Sequence, residues 1–267
     1  MRVRAQELPS FLFSARSVIG LVRTGNEDSA LLHSKLLAVA DGMGGHAGGE
    51  VASSLAIKTL SRSINYLENP DFTSESIEDL FLNSVYDIDA EIGRVAKEDD
   101  QLTGMGTTLS ALALYVIDGQ NTVALLHIGD SRCYRLRDNS LIQLSKDHTI
   151  LQDLLDKGAI TPTEALDHPQ RSFLTQALMG EGVLTPFLTV LDVEPNDRFL
   201  LCSDGLSGVL DEKEIKRGLL VLNLEDSVTH LIDGAYAGGA PDNVTVLVAD
   251  VVNASVNNEK IFMGAAE

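Results

Sequence analysis

An α+β layered domain is the fold class that this sequence predicts, on three observations. Apolar β-runs come in neighbouring pairs joined by turn residues, helical periodicity is confined to a few segregated segments, and 267 residues with 44% hydrophobic content hold enough apolar material for one large core. The elements follow in order. A hairpin-like pair is read around "SALLHSKLLAVA". Val51, Leu55, Leu60, Ile64 and Leu67, then Ile77, Phe81, Val85, Ile88, Ile92 and Val95, recur at near-helical spacing and predict two consecutive helices of more than four turns each. "TTLSALALYVIDGQNTVALLHIGD" reads as two long strands joined at Asp118, Gly119, Gln120 and Asn121, and "SRCYRLRDNSLIQLS" repeats the design with Asp138 and Asn139 in its turn.

Polar residues dominate from Asp147 to about Gly182, where Thr161, Pro162 and Glu164 in "TPTEA" form a helix-start signature, so this stretch is a helical excursion. Strands return in "FLTVLDV" and "DRFLLCSDG", a helix is expected across "LEDSVTHLIDGAYAGG", and "NVTVLVADVV" closes the core. Residues 253–267 read as a frayed tail.

Composition excludes several function classes. A net charge of -19 with only 20 Lys plus Arg opposes nucleic-acid binding and attraction to an anionic membrane. No apolar run approaches the roughly 20 residues that span a bilayer, and the N-terminal apolar stretch is too short for a signal peptide, so a cytoplasmic location is expected. Cys133 and Cys202 fall inside apolar runs and read as free buried thiols.

The loop after "LLAVADG" admits two readings. Gly42, Gly44 and Ala47 match a relaxed dinucleotide fingerprint, but Asp41 would set a carboxylate beside the pyrophosphate and no βαβ unit follows. No Gly-Lys pair exists for a Walker loop. Metal binding is favoured because the device recurs. Asp41, Asp130 and Asp204 each end an apolar strand, and Asp242 opens the last one. Clustered carboxylates repel unless a cation neutralises them, and oxygen-only ligands select Mg2+ or Mn2+ over zinc. Gly42 lets the backbone turn tightly, so that its carbonyl can face a metal.

In order, "GLVRTGNED", "VADGMGGHAGGE", "GTT", "HIGDSRCYRLR", "DHT", "HPQRSFLTQALMG", "LLCSDGL" and "DNVT" resemble the successive motifs of the PP2C-type (PPM family) metal-dependent serine/threonine protein phosphatases, in their compact bacterial form, over residues 17–252. The resemblance implies two packed antiparallel sheets flanked by helices, an α-β-β-α sandwich, in one domain of residues 1–267. Its core would run from about 14 to 252, with a flap at about 147–182 and a tail at 253–267. It implies two Mn2+ or Mg2+ ions with room for a third. Asp41 would bridge the pair, the Gly42 carbonyl would bind the second ion, and Asp204 and Asp242 would complete the first. Glu27 and Asp28 would orient metal-bound waters, Asp130 would serve the third ion, and Arg23 would hold phosphate. Hydroxide generated between two ions about 3.5 to 4 Å apart would attack phosphorus in line, with no covalent intermediate. Ser131, Cys133, Cys202 and Ser203 are then ordinary strand-end or core residues.

The implied partners are phosphorylated proteins in opposition to a serine/threonine kinase, met by a monomer, with a catalytically weak partner-binding regulator as the alternative. One position departs from the pattern. Met43 stands where eukaryotic members carry a His proposed as general acid, which leaves His46 as the candidate substitute; His148 and His168, in the flap region, read as substrate contacts or turn caps, while His33, His127 and His230 read as structural.

Overall fold

The computed structural model describes residues 9–45, 47–69, 76–117, 119–165, 168–170, 173–254, 256 and 258–267. Strands β1 (Ser10–Val18), β2 (Asp28–His33) and β3 (Leu36–Met43) lead into α1 (Gly48–Leu60), a 3-10 turn at Ser61–Ser63, α2 (Ile64–Leu67) and the long α3 (Ser76–Glu98). After a 3-10 turn at Asp100–Leu102 come β4 (Gly106–Thr107), β5 (Leu109–Ile117), β6 (Gln120–Ile128), β7 (Arg132–Arg137) and β8 (Ser140–Gln143). The excursion carries α4 (Ile150–Asp156) and α5 (Pro162–Ala165). The chain then runs through β9 (Phe187–Asp192), β10 (Arg198–Cys202), α6 (Asp204–Ser207), α7 (Glu212–Leu219), α8 (Leu224–Ala237), β11 (Val244–Val252) and β12 (Ile261–Gly264).

One sheet has the order β1-β11-β10-β7-β8 and the other β12-β2-β3-β5-β6-β9, with β4 paired to β3. Every pairing is antiparallel. Both faces of the central strands are buried, which is why they read as continuous apolar runs instead of alternating ones. The pleat divides each run between two cores. In β3, Leu37 and Val39 face Phe11, Leu112, Phe199 and Leu247 between the sheets. Leu36, Ala38 and Ala40 face Ala56, Ile57, Phe81 and Ile88 of α1 and α3. On the far side Leu200, Cys202, Val246 and Val248 pack against Ile215, Leu219, Leu231 and Ala235 of α7 and α8. Four layers result, in the order helix, sheet, sheet, helix. Cys133 and Cys202 are free and buried as expected.

Local chemistry fixes the ends of elements. The β7–β8 turn holds Asp138 at φ 46° and Asn139 at φ 62°, the left-handed pair that a two-residue hairpin needs. Thr161 and Glu164 exchange hydrogen bonds as a capping box at α5. In the other hairpin Gly119 has φ 79°, while Asp118 of the predicted turn lies outside the described residues.

Three expectations need correction. The first long helix is 13 residues, shorter than four turns, and then tightens into a 3-10 turn where the Ser61 hydroxyl donates to the Lys58 carbonyl, an alternative partner for the backbone. The tail is not frayed: β12 pairs with β2, the Ala265 N–H donates to the Asp28 carbonyl, and Ala266 is buried in the α1–α3 core. That strand covers what would otherwise be an open sheet edge. The core also starts earlier than residue 14, because β1, which the reading missed, pairs with β11 from Ser10. Among the described residues no helix is long and apolar enough to cross a membrane.

Candidate metal centre

Loops at one edge of the sandwich enclose a cleft of about 570 Å³ lined by Arg23, Glu27, Asp41, Gly42, Asp130, Asp204 and Asp242. Five of these seven carry carboxylates, Gly42 adds a bare backbone carbonyl, and Arg23 is the cation among the described lining residues. Each reaches the cleft by a different route. Asp41 lies near the end of β3, Asp130 two residues past β6, Asp204 two past β10, and Asp242 two before β11. Strand ends of both sheets, β3 and β6 in one and the neighbouring β10 and β11 in the other, therefore deliver carboxylates to one place.

The backbone around Asp41 is held by the two threonines of "GTT". Its carbonyl accepts from the Thr107 hydroxyl (2.9 Å) and the Thr108 N–H (2.9 Å), and its N–H donates to Thr108 Oγ1 (3.0 Å). At Gly42 a side chain has no room, since a Cβ would lie 2.1 Å from the Gly49 carbonyl oxygen and 2.5 Å from that of Glu27. Gly42 is thus required for α1 to pack against the loop.

Asp28 stands behind the cleft, in register with Asp41 across the β2–β3 pair. It is fully buried and accepts hydrogen bonds from the Ser203 and Thr245 hydroxyls, each 2.7 Å, which clips the two sheets together beneath the site. Asn243 does the same for the neighbouring loop: its side chain accepts from the Glu27 N–H (2.9 Å) and donates to the Gly25 carbonyl (2.8 Å). Sequence reasoning passed over Ser203, Asn243, Thr245, Thr107 and Thr108 as supports. Their signal was present, since each stands inside a quoted motif beside an aspartate or, for "GTT", as its own motif.

Electrostatics set these groups apart. Burial, then the charges of Asp204 and Asp242, opposed by the Thr245 and Ser203 hydrogen bonds, push Asp28 up to about 7. Asp130 is likewise pushed up to about 7, by burial and then by Asp204 and Asp147. Asp41 is raised well above the usual range by burial and by Asp28, Asp204, Asp130 and Asp242. Asp204 is raised by burial and by Asp242, and it lies within hydrogen-bonding reach of Asp41. Glu27 is raised by burial, against the lowering effect of Arg23. Arg23 donates to Asp242 at 2.5 Å and is half exposed.

This donor set fits a hard divalent cation: carboxylate oxygens that repel one another, and a bare backbone beside them at Gly42. Among the described residues no three Asp, Glu, His or Cys side chains are drawn into a closed shell, so the fit rests on charge and donor chemistry.

Neither His148 nor His168 lines the cleft. His148 lies behind the Asp130 loop, its Nδ1 accepting from the Gly129 N–H (3.1 Å), and His168 Nδ1 accepts from the Gln170 N–H in a turn. His46 lies outside the described residues, and Met43 lines the cleft. His127 is buried between the Ser110 hydroxyl and the Lys146 carbonyl and is pushed down to about 3 by burial, a structural neutral imidazole. The opposite wall of the cleft belongs to the excursion, through residues 173–177 and Met179, Glu181 and Val183.

An α-β-β-α sandwich that carries aspartates from both sheets into one edge cleft beside an arginine defines a class of scaffold for hard cations and an anionic ligand. A family model described as Protein phosphatase 2C matches residues 26–234, and the chain belongs to that family. The serine/threonine protein phosphatase PstP of Mycobacterium tuberculosis is 46% identical over 241 residues, covering 90% of this chain and 45% of that protein, so the chain spans about half the length of this relative. The serine/threonine phosphatase stp of Listeria monocytogenes is 35% identical over 238 residues, covering 86% of this chain and 92% of that one. The solved catalytic domain of PstP in complex with two manganese ions superposes with a TM-score of 0.81 at 42% identity, covering 91% of this chain and 99% of that structure.

Proposed function

We propose that this chain is a metal-dependent serine/threonine protein phosphatase working with two Mn2+ or Mg2+ ions, in one domain of residues 1–267 whose flap is residues 147–182. The observation that carries the reading is the convergence of Asp41, Asp130, Asp204 and Asp242 with Arg23 on one cleft. The two manganese ions of the PstP catalytic domain support the metal assignment.

Asp41 and the Gly42 carbonyl would hold the ions together with Asp204 and Asp242, Asp130 would serve a third ion, and Glu27 and Asp28 would orient coordinated water. When bound, the ions supply a water of lowered pKa and neutralise the carboxylates. The remaining work belongs to the chain. Thr107 and Thr108 hold Asp41 in place, Asp28 locks the two sheets beneath it, and Arg23 turns from Asp242 to the phosphate of the substrate. Guanidinium suits phosphate because its fork of donors matches two oxygens at once. Substrates are phosphorylated proteins, opposing a serine/threonine kinase, and the enzyme acts as a cytoplasmic monomer.

The test is hydrolysis of a phosphothreonine peptide with Mn2+ and with excess EDTA. Turnover should require the metal and return on its restoration. Activity indifferent to chelation would refute the metal reading, and no turnover with Mn2+ would favour a partner-binding regulator. Arg23→Ala should raise KM for the peptide about tenfold, the low end of a charge-assisted contact because Arg23 is half exposed, with kcat changed little. A large loss of kcat at unchanged KM would instead place Arg23 in transition-state stabilisation.

A further inference from the structure

Asp89 sits on α3 among residues that face the core, yet it is a carboxylate, 3% exposed, with no ion pair among the described residues. Its partners are three backbone N–H groups of the excursion. Oδ1 accepts from Met179 (3.0 Å) and Gly180 (2.8 Å), and Oδ2 accepts from Gly182 (2.8 Å). Helix and loop meet closely at this point: a Cβ on Gly93 would lie 2.8 Å from the Gly180 carbonyl oxygen, and Gly180 has φ +78°. Just upstream, Leu178 and Thr107 exchange backbone hydrogen bonds of 2.9 and 3.0 Å, and the Thr107 hydroxyl holds the Asp41 carbonyl. The segment is therefore fixed at two places, one of them a single residue from the carboxylate cluster.

Beside Glu181, this segment presents exposed apolar side chains to the cleft. Met179 and Val183, with Phe173 on the same wall, are 36%, 87% and 56% exposed, beside a floor of carboxylates. A phosphoresidue seated at Arg23 and Asp41 brings its neighbours in the peptide onto this wall, since consecutive residues of an extended chain advance only about 3.3 Å each. Exposed side chains of this size gain by being covered, and they cover best with another apolar side chain.

We infer that Asp89 is a positioning residue for substrate selection: by gathering the N–H groups of Met179, Gly180 and Gly182 it fixes the wall of Phe173, Met179 and Val183 as a subsite for a large apolar side chain close to the phosphoresidue. The inference rests on the phosphatase reading and names the substrate class of that site, phosphopeptides with an aliphatic or aromatic residue beside phosphothreonine or phosphoserine. A carboxylate suits the task because it only accepts, and all three groups facing it are donors. In Asp89→Asn the amide NH2 must oppose one of those N–H groups, which releases part of the wall without removing volume.

The experiment is a scan of phosphothreonine peptides in which Leu replaces Ser at each position from -3 to +3, measured with Mn2+ on the wild-type chain, with p-nitrophenyl phosphate as a control. At one or more positions Leu should lower KM about tenfold, the scale on which an apolar pocket discriminates. Asp89→Asn should shrink that advantage to threefold or less, with the loss in KM and not in kcat. Phe173→Ser and Val183→Ser, at exposed positions where folding is not at risk, should abolish the preference. A flat scan, or a preference that survives both wall substitutions, would overturn the inference while leaving the phosphatase reading standing. Absence of turnover on every peptide and on p-nitrophenyl phosphate would sink that reading instead, and this inference with it.

Discussion

Asp41→Asn is expected to lower kcat on a phosphothreonine peptide roughly a thousandfold at saturating Mn2+, the effect of several kcal/mol of charge stabilisation at the reacting centre. The substitution removes one charge and almost no volume. The contacts that hold residue 41 in place run through its backbone, to Thr107, Thr108 and, across the strand pair, Asp28. None of them needs the carboxylate, so the fold should persist. In the metal-free chain the variant should even melt higher than the wild type, because Asp41 is a carboxylate raised by burial and by four neighbouring aspartates, and losing it relieves that repulsion. Lost turnover with a raised melting temperature separates damage to the site from damage to the fold. Wild-type kcat in Asp41→Asn would sink the assignment of this residue to the ions.

The features of the site that could be read from the sequence are those that break a local rule. An aspartate at the end of an apolar strand stands out against its neighbours, and it marks Asp41, Asp130 and Asp204 where strands close and Asp242 where the last one opens. The sheets were legible because a strand buried on both faces is an uninterrupted apolar run, as in "LLAVA" and "FLLC". Asp89 could not be found so. On an amphipathic helix rich in acidic residues it reads as one more solvated position, and only the fold shows that it faces three N–H donors 90 residues and more away in sequence. The hydroxyls that hold Asp28 come from Ser203, just past β10, and from Thr245 on the neighbouring β11, and the pairing of those two strands gave no hint of reaching into the other sheet. The last strand was missed because "IFMG" is short and follows polar residues, so its identity lies in the open edge of β2 that it covers.

The metal-free chain should lose stability as pH rises from about 4 to about 8, and Mn2+ should reverse that trend. Asp28 and Asp130 sit at about 7 in the folded chain, against an ordinary value of 3.8, with burial the largest cause for each, and Asp41 and Asp204 are raised as well. Below pH 4 these groups are protonated whether the chain is folded or not, and they contribute nothing to the difference. Between about 4 and 7 the unfolded chain has released protons that the folded chain still holds, so each increment of pH favours unfolding. For Asp28 alone a displacement of that size corresponds to on the order of 4 kcal/mol. A chain of this length moves its melting temperature by about 2 to 4 °C per kcal/mol, so a fall on the order of 10 °C between pH 5 and pH 8 is expected in EDTA. Bound Mn2+ requires the deprotonated carboxylates and stabilises the folded chain by mass action, about 2.7 kcal/mol at a hundredfold excess over its Kd. The two melting curves should therefore lie close together near pH 5, where protons compete with the ion, and separate as pH rises. Calorimetric scans at four pH values, with Mn2+ and with EDTA, measure this directly. Asp28→Asn, which removes the most deeply buried of the titrating carboxylates while leaving an oxygen to accept from Ser203 and Thr245, should flatten the metal-free curve. A metal-free melting temperature that rose from pH 5 to pH 8 would mean that these aspartates are not held protonated by the fold, and that the cleft needs no cation to be stable.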